Sequence, residues 1–306
     1  MSESIQAHHA EAATLAGRRP APGSAGRSAT LAGRRPPKVR QFDQPRFLTV
    51  FTALVFVYLF APILVVFWYS FNSKRSTQIF GSFSLTWYQQ LLNDPVMKDS
   101  LFASIQIALG TMVVACLLGT LLAFGLVRAR SRLNRPTDVL MLLNLVSPEI
   151  VTAIALLLVF TQFGLTLSLT TVVLGHITFS IAYVTIIVRA RLAAMNKEVE
   201  EAASDLGATN LQAVRLVTLP LLWPAIVASG LLVFVMSFDD FVTSYFVSGI
   251  GIVPLPVRIY SAIHNGVTPE INAVGTVMMV ITITIVLAAL ALFARQREAR
   301  LAFLAE

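Results

Sequence analysis

Apolar residues run almost unbroken through six stretches of this chain, near 47–70, 103–127, 138–160, 169–188, 223–247 and 272–294. Each is long enough for the roughly 20 residues that a helix needs to cross a hydrocarbon core. The third carries Glu149 and the fifth carries Asp239 and Asp240, and a window-based reading still passes both. The pattern predicts an all-α membrane protein with six transmembrane helices.

Between the fourth and fifth stretches the pattern changes. Asn196 can cap a helix, and Glu198, Glu200 and Glu201 load its first turn with favourable negative charge. Val199, Ala202, Ala203 and Leu206 fall at i, i+3, i+4 and i+7, which makes a single apolar face. Gly207 follows, where a helix ends or a partner backbone comes close. Thr209 and Gln212 form a capping-box pattern for a second short helix, which Pro220 is expected to stop. Pro224 lies at the start of the next span. The segment 196–220 is therefore a polar helix–turn–helix with a small-residue face, held between two apolar spans.

Composition agrees with a bilayer as solvent. Only 13% of the 306 residues are charged, against about 25% for a soluble domain. The net charge of +7 raises the question of a nucleic-acid partner, and the placement of the basic residues answers it. Of 23 Lys and Arg, 19 fall in 1–46, 128–136, 189–222 and 295–306, all on one side of the six spans. The other side holds Lys74, Arg75, Lys98 and Arg258. Positive flanks mark the cytoplasmic side, so both termini and the 189–222 loop are expected inside. The basic excess is topology, and no nucleic-acid partner is expected. The single cysteine, Cys116, excludes an intramolecular disulfide and reads as packing.

The first 46 residues are different in kind. ATLAGRRP occurs at 13–20 and again at 29–36, among Ala, Gly, Pro and Arg with little to bury. Such a segment is expected to be a disordered basic cytoplasmic tail. It is too long for a cleavable signal peptide, and no short apolar region follows Arg18-Arg19 or Arg34-Arg35 as a twin-arginine signal requires. It reads as a solvated extension that reinforces orientation, or else as a patch for anionic headgroups. Residues 295–306 form a short cytoplasmic C-terminal tail.

The candidate chemistry lies in the acids. Within their limits the six spans hold Asp138 at a margin, Glu149, Asp239 and Asp240, and no Lys or Arg. An ionisable group at mid-bilayer costs about 2.5–3.5 kcal/mol on insertion scales. Three such acids need water, protonation, another subunit or a cationic ligand. A cationic substrate fits their sign, whereas sulfate, phosphate or molybdate would be repelled. The competing reading is structural: Asp239 or Asp240 caps or hinges a broken helix, and Glu149 only marks the break that Pro148 suggests. His176 is either hydrogen-bonded within the bundle or a proton relay. Trp87 and Tyr88 are either an interfacial aromatic anchor or an aromatic wall for an alkylammonium, through cation–π contact of about 0.5–2 kcal/mol. Glu270 and Asn272 sit at the outer mouth of the sixth span, where a cap suffices to explain them. There is no GxxxxGK[ST], so the chain is not expected to hydrolyse ATP. No cluster has metal-ligand spacing and no nucleophile–base pair is evident, so no catalytic residue, metal or cofactor is expected in this chain.

The wording of the insert is more specific than its amphipathicity, which an interfacial hairpin would share. Glu201-Ala202-Ala203, three residues, Gly207, nine residues, Val217, one residue, Leu219-Pro220 resembles the EAA loop of ABC importer permeases, with Val217 in place of Ile. Further segments resemble the polyamine (spermidine and putrescine) branch of that family: APILVVFWYSFN at 61–72, WYQQLLND at 87–94, SPEIV at 147–151, GHITFSIAYV at 175–184, SFDDFVTSYFVSG at 237–249 and GVTPEINAVGT at 266–276. The likeness runs from about 50 to 295, and the 1–46 tail has no counterpart in it. It implies the type I importer permease fold in a bacterial inner membrane. It also implies a coupling role for Glu201, Ala202, Ala203, Gly207, Leu219 and Pro220 against an ATPase. The partners implied are a second homologous permease chain, two ATPase subunits that bind the ATP, and an extracytoplasmic polyamine-binding protein. The substrate pathway would lie between the two permeases, and the charge and cation–π readings above place Glu149, Asp239 and Asp240, with Trp87 and Tyr88, as its candidate residues.

Three other readings make different predictions. A proton-coupled secondary transporter would use the acids but gives no reason for the 201–220 spacing. A permease of the same fold for iron, thiamine or a sugar is opposed only by the acids and the subfamily wording. A membrane scaffold leaves Glu149, Asp239 and Asp240 unexplained.

Overall fold

A computed structural model of the chain describes residues 46–303, apart from 77, 130–131, 252, 265 and 267. The expected 1–46 tail, except the helical Arg46, lies outside the described residues, as do 304–306. The chain divides into two compact units, 1–59 and 60–306. The described part of the first is the leading portion of helix α1, Arg46–Tyr69, whose large apolar side chains from Phe47 to Leu59 are exposed.

The second unit carries the rest. After α1 come α2 (Thr86–Asn93), α3 (Pro95–Arg128), α4 (Asn134–Val146), α5 (Glu149–Gln162) and α6 (Leu169–Ala193). Then follow α7 (Glu198–Asp205), α8 (Asn210–Ala213), a π-helical turn over Val214–Thr218, and α9 (Leu219–Asp239). The chain closes with α10 (Val242–Val247), α11 (Leu255–His264) and α12 (Pro269–Phe303). Among the described residues there is no strand, only an isolated bridge between Asn72 and Phe83.

Among the described residues, five helices are long and apolar enough to cross a membrane: Phe47–Tyr69, Pro95–Arg128, Leu169–Ala193, Asn210–Asp239 and Pro269–Ala291. The expected third span is not a straight rod. It is the pair α4 and α5, bent by 110° at Ser147-Pro148, and counts as a sixth span if the two are taken together. Pro148 forces the residue before it out of the helical region, and Ser147 accordingly has ψ 133°.

Four further boundaries differ from the sequence pattern, three of them for identifiable reasons. Helix α3 begins at Pro95 rather than near 103, because Asp94 Oδ1 accepts the Val96 and Met97 amides and proline sits well at the first helical position. Pro220 does not stop a helix. The amide of Leu219 reaches back five residues to the Val214 carbonyl, and the chain continues through this π turn into α9, with Pro220 in its first turn. The fifth span ends at Asp239 rather than 247, since the backbone turns extended at Asp240 before restarting in α10. Helix α12 also continues past 294, so that the backbone of 295–303 is helical.

The centre of the bundle is where α3, α6 and α9 meet. Ala115, Ala123, Val184, Val188, Leu192, Leu222 and Val233 form one buried cluster there. The approach is close because small residues face each other, the usual means of helix association in lipid. A β-carbon on Gly119 would lie 2.7 Å from that of Val184. The Thr185 hydroxyl donates to the Gly119 carbonyl at 3.3 Å across the same contact. A second cluster, with Ala108, Phe234, Phe238, Leu255, Val274 and Met278, joins α3 and α9 to α11 and α12.

Candidate functional site

The break between α9 and α10 creates the site. At Asp240 the helix loses its ladder, and the carboxylate takes over: Asp240 Oδ2 accepts the amide of Ser244 at 2.9 Å, fixing the start of α10. The same oxygen lies 2.9 Å from His176 Nε2 on α6. On its other edge His176 Nδ1 meets the Ser237 hydroxyl at 2.7 Å, and the Ser244 hydroxyl lies 3.3 Å from Nε2. His176 is fully buried and Asp240 is 7% exposed. Each polar side chain of this small network has a partner, as burial in a low dielectric requires.

Beside the network opens a cavity of about 480 Å³. Glu149, Asp239 and Asp240 line it together, with Asn144, Thr152, Phe179, Tyr183 and Phe241 among the other walls. Glu149 opens helix α5 just after the 110° bend and lines the same cavity as Asp240. Asp239, the last residue of α9, accepts a long hydrogen bond from the Thr282 hydroxyl at 3.5 Å. Among the described residues, no Lys or Arg lines this cavity. Its chemistry is that of a negatively charged, aromatic-walled recess within the helix bundle.

The sequence brings the right three acids to one place but misstates their setting. Three buried acids without an internal base were expected. Only Asp240 is buried, while Glu149 and Asp239 are exposed to the open cavity. Asp240 has a base after all, in His176, so the reading of His176 as hydrogen-bonded within the bundle is the one the geometry agrees with. Asp138, expected at a margin, pairs with Arg189 one residue beyond the fourth span's expected limit.

Trp87 and Tyr88 are not part of this cavity. Trp87, itself buried, donates from Nε1 to the Asn72 carbonyl at 2.6 Å, and the Tyr88 hydroxyl lies 2.7 Å from Ser70 Oγ. Both pin α2 to the connection after α1. The aromatic walls around the acids are instead Phe179, Tyr183 and Phe241. Their signal in the sequence is faint: Phe179 and Tyr183 lie four apart on α6, one turn beyond His176.

The polar insert folds as its caps foretell. Asn196 Oδ1 accepts the Glu198 amide at 3.2 Å, and Thr209 and Gln212 exchange the two bonds of a capping box. Gly207, at φ +87°, closes α7: its amide donates to Ser204 O at 2.9 Å, and the amide of Ala208 donates to Ala203 O at 3.0 Å. This is a Schellman ending, which favours glycine at that position. Glu201 and Ala202 are exposed and Ala203 half-buried. Leu206 is 90% and Leu211 76% exposed, so a large part of the insert's apolar surface meets none of the described residues. Leu219 and Pro220 stand at the root of the insert, where α9 begins. A contact that no local pattern announces ties the insert to the bundle. Glu200 Oε1 accepts from Arg128 at the end of α3 and from the Thr218 hydroxyl, each at 2.5 Å.

Apolar helices around an acid-lined recess, interrupted by one polar helical hairpin, make up the body of a membrane transport permease. The chain belongs to the family of inner membrane components of binding-protein-dependent transport systems, whose family model matches residues 115–300. It is 37% identical over 236 residues to the spermidine/putrescine transport system permease protein PotC of Haemophilus influenzae, covering 77% of this chain and 92% of that one. To the putrescine transport system permease protein PotI of Escherichia coli K12 it is 38% identical over 237 residues, covering 75% and 84%. Among solved structures it resembles a bacterial ABC transporter involved in the import of the acidic polysaccharide alginate, with a TM-score of 0.59 and 19% identity over 82% of this chain and 96% of that one. At that identity the likeness concerns the fold. It is the ABC importer permease fold expected from the sequence.

Proposed function

We propose that this chain is the transmembrane permease subunit of an ATP-driven importer that carries polyamines of the putrescine and spermidine class across the bacterial inner membrane. The observation that carries the reading is the convergence of Glu149, Asp239 and Asp240 on one cavity that no described Lys or Arg lines. A multiply charged alkylammonium supplies the counter-charge these carboxylates need, and its methylenes suit the aromatic walls. The names of the relatives PotC and PotI point the same way.

In this reading the cavity is half of a pathway, completed by a second, homologous permease chain. Two ATPase subunits bind the ATP and engage the insert 196–220, so this chain is not an enzyme and holds no cofactor. An extracytoplasmic binding protein delivers the polyamine. The termini and the insert lie in the cytoplasm, in keeping with the distribution of Lys and Arg. The exposed apolar side chains Leu206 and Leu211 then face a groove of the ATPase, and the Glu200–Arg128 contact passes its movement to α3.

Uptake of radiolabelled putrescine and spermidine by cells carrying Glu149→Gln, Asp239→Asn and the double variant tests the reading. A several-fold fall in initial rate is expected, with the amount of assembled complex unchanged. Normal uptake of both polyamines by the double variant overturns the assignment.

A further inference from the structure

Phe241 belongs to two groups of side chains at once. On one side it lines the cavity that holds Glu149, Asp239 and Asp240. On the other its ring stands 4.6 Å from that of Tyr260 and 5.5 Å from that of Tyr245. Tyr245 and Tyr260 meet edge to face at 5.9 Å, and His264 continues the run 4.8 Å beyond Tyr260. Ring-to-ring contacts therefore run from Phe241, beside the acids, to Tyr245 on α10 and Tyr260 and His264 on α11.

This run is not built like core packing. Where the chain packs aromatics for stability, as in the stacked pair Phe234 and Phe238, the residues are 7% and 1% exposed. Tyr245 and Tyr260 are 50% and 40% exposed. A tyrosine presents an apolar ring with a hydroxyl that wants a wet partner, which suits the wall of an aqueous path better than a lipid-facing surface. The quadrupole of each ring attracts a cation within about 6 Å of its centroid.

We propose that Phe241, Tyr245 and Tyr260 form an aromatic subsite that receives the second ammonium of a linear diamine whose first ammonium is held by the neighbouring acids. The proposal rests on the polyamine reading given above. It adds how the site separates a diamine from a monoamine: both are held at the carboxylates, but only the diamine brings a second ammonium to the tyrosine rings.

The test is equilibrium binding of radiolabelled putrescine to the purified, assembled transporter in detergent without its binding protein, with butylamine as the monoamine competitor. Tyr260→Leu and Tyr245→Leu are expected to raise the putrescine Kd about three- to ten-fold, the range open to a cation–π contact. The butylamine inhibition constant should stay unchanged. Tyr260→Phe and Tyr245→Phe, which keep the ring face, should bind as the parent does. Unchanged putrescine affinity in the Leu variants overturns the subsite, as does equal weakening in the Phe variants or of butylamine. Loss of assembly in the Leu variants, with the remaining complex at parental Kd, assigns the rings to packing and also overturns it. The double variant Glu149→Gln with Asp239→Asn separates the two claims. If it binds putrescine normally, the polyamine reading itself fails. If it binds poorly while the Leu variants bind normally, only the aromatic subsite fails. Absence of saturable putrescine binding to the parent complex overturns both.

Discussion

His176 Nε2 lies 2.9 Å from Asp240 Oδ2, so an imidazole on α6 holds the carboxylate at which α9 breaks. The two residues are 64 apart in sequence, and neither is accessible enough to be hydrated: their side chains are 0% and 3% exposed. Removing one partner of such a buried pair leaves the other uncompensated, at about 3–5 kcal/mol. His176→Leu is therefore expected to lower the amount of folded chain in membranes and the thermal aggregation midpoint of what remains. His176→Gln keeps an N–H donor for the carboxylate and should recover much of the loss. Equal midpoints for parent and His176→Leu would show that the pair does not hold the break.

The insert makes its own prediction. Among the described residues beyond its chain neighbours, nothing lies within 4 Å of where a β-carbon on Gly207 would stand, yet the φ of +87° strains any other residue there. Gly207→Leu should disturb the end of α7 and fill the approach of a docked partner, while leaving the spans in place. Glu201→Lys reverses an exposed charge on the same helix. Both variants are expected to insert normally, to lose uptake by about ten-fold or more, and to lose substrate-stimulated ATPase activity. Normal uptake with normal stimulation in both would remove the coupling role of the insert.

Glu200 and Arg128 offer a test of transmission rather than docking. Their side chains are 32% and 37% exposed, so the pair contributes little to stability, about 0.2–1 kcal/mol. If it carries movement from the insert to α3, Arg128→Ala should slow uptake more than it lowers the thermal midpoint. The charge-exchanged pair, Arg128→Glu with Glu200→Arg, should regain part of the rate. A double-mutant cycle on the uptake rate measures this, and additivity of the two single effects would count against it.

The contact of α3 with α6 can be checked by volume. Gly119→Leu would drive a side chain into Val184, whose β-carbon is already 2.7 Å from where a β-carbon on residue 119 would stand. Overpacking of this kind costs about 1–3 kcal/mol, and here backbone on both sides limits relief. Gly125, on the same helix, has nothing within 4 Å, so Gly125→Ala should be tolerated. Comparable yields of detergent-stable protein from Gly119→Leu and Gly125→Ala would contradict the packing at α3–α6.

What is legible in the sequence depends on the range of the interaction. Caps and turns act over a few residues, so Asn196, Gly207 and the Thr209–Gln212 box can be read in order. Pro148 signals the bend, although not its 110° angle, which depends on what α5 packs against. The acids stand out by their sign in apolar stretches, and the structure gathers all three. What pairs with them does not stand out. His176 is separated from Asp240 by a whole insert, and no periodicity links them. Trp87 attracts notice for its aromatic character, but its indole N–H finds a backbone carbonyl nearby, at Asn72. Phe241, next to the acids, carries no signal of its own, because an aromatic residue in an apolar span is ordinary by composition.

Asp240 has two tasks that one pair of substitutions can separate. As a structural group it accepts the Ser244 amide and faces His176; as a wall of the cavity it presents negative charge beside Glu149 and Asp239. Asn preserves the shape and one acceptor oxygen, and it caps helices about as well as Asp. It removes the charge. Leu removes both. If the charge serves a cationic substrate, Asp240→Asn should assemble in normal amount while polyamine uptake falls by about ten-fold or more, and Asp240→Leu should fail to accumulate. If Asp240 only shapes the break between α9 and α10, Asp240→Asn should transport at close to the parental rate. Initial rates of putrescine and spermidine uptake, normalised to assembled complex, decide between these outcomes. The comparison is sharpened by Asp239→Asn, since Asp239 is exposed to the same cavity and accepts only a 3.5 Å bond from Thr282. Its effect on uptake should be electrostatic alone, with the thermal midpoint unmoved. A matching fall in uptake for both Asn variants, at unchanged stability for Asp239→Asn, assigns the loss to charge in the pathway rather than to a disturbed helix end.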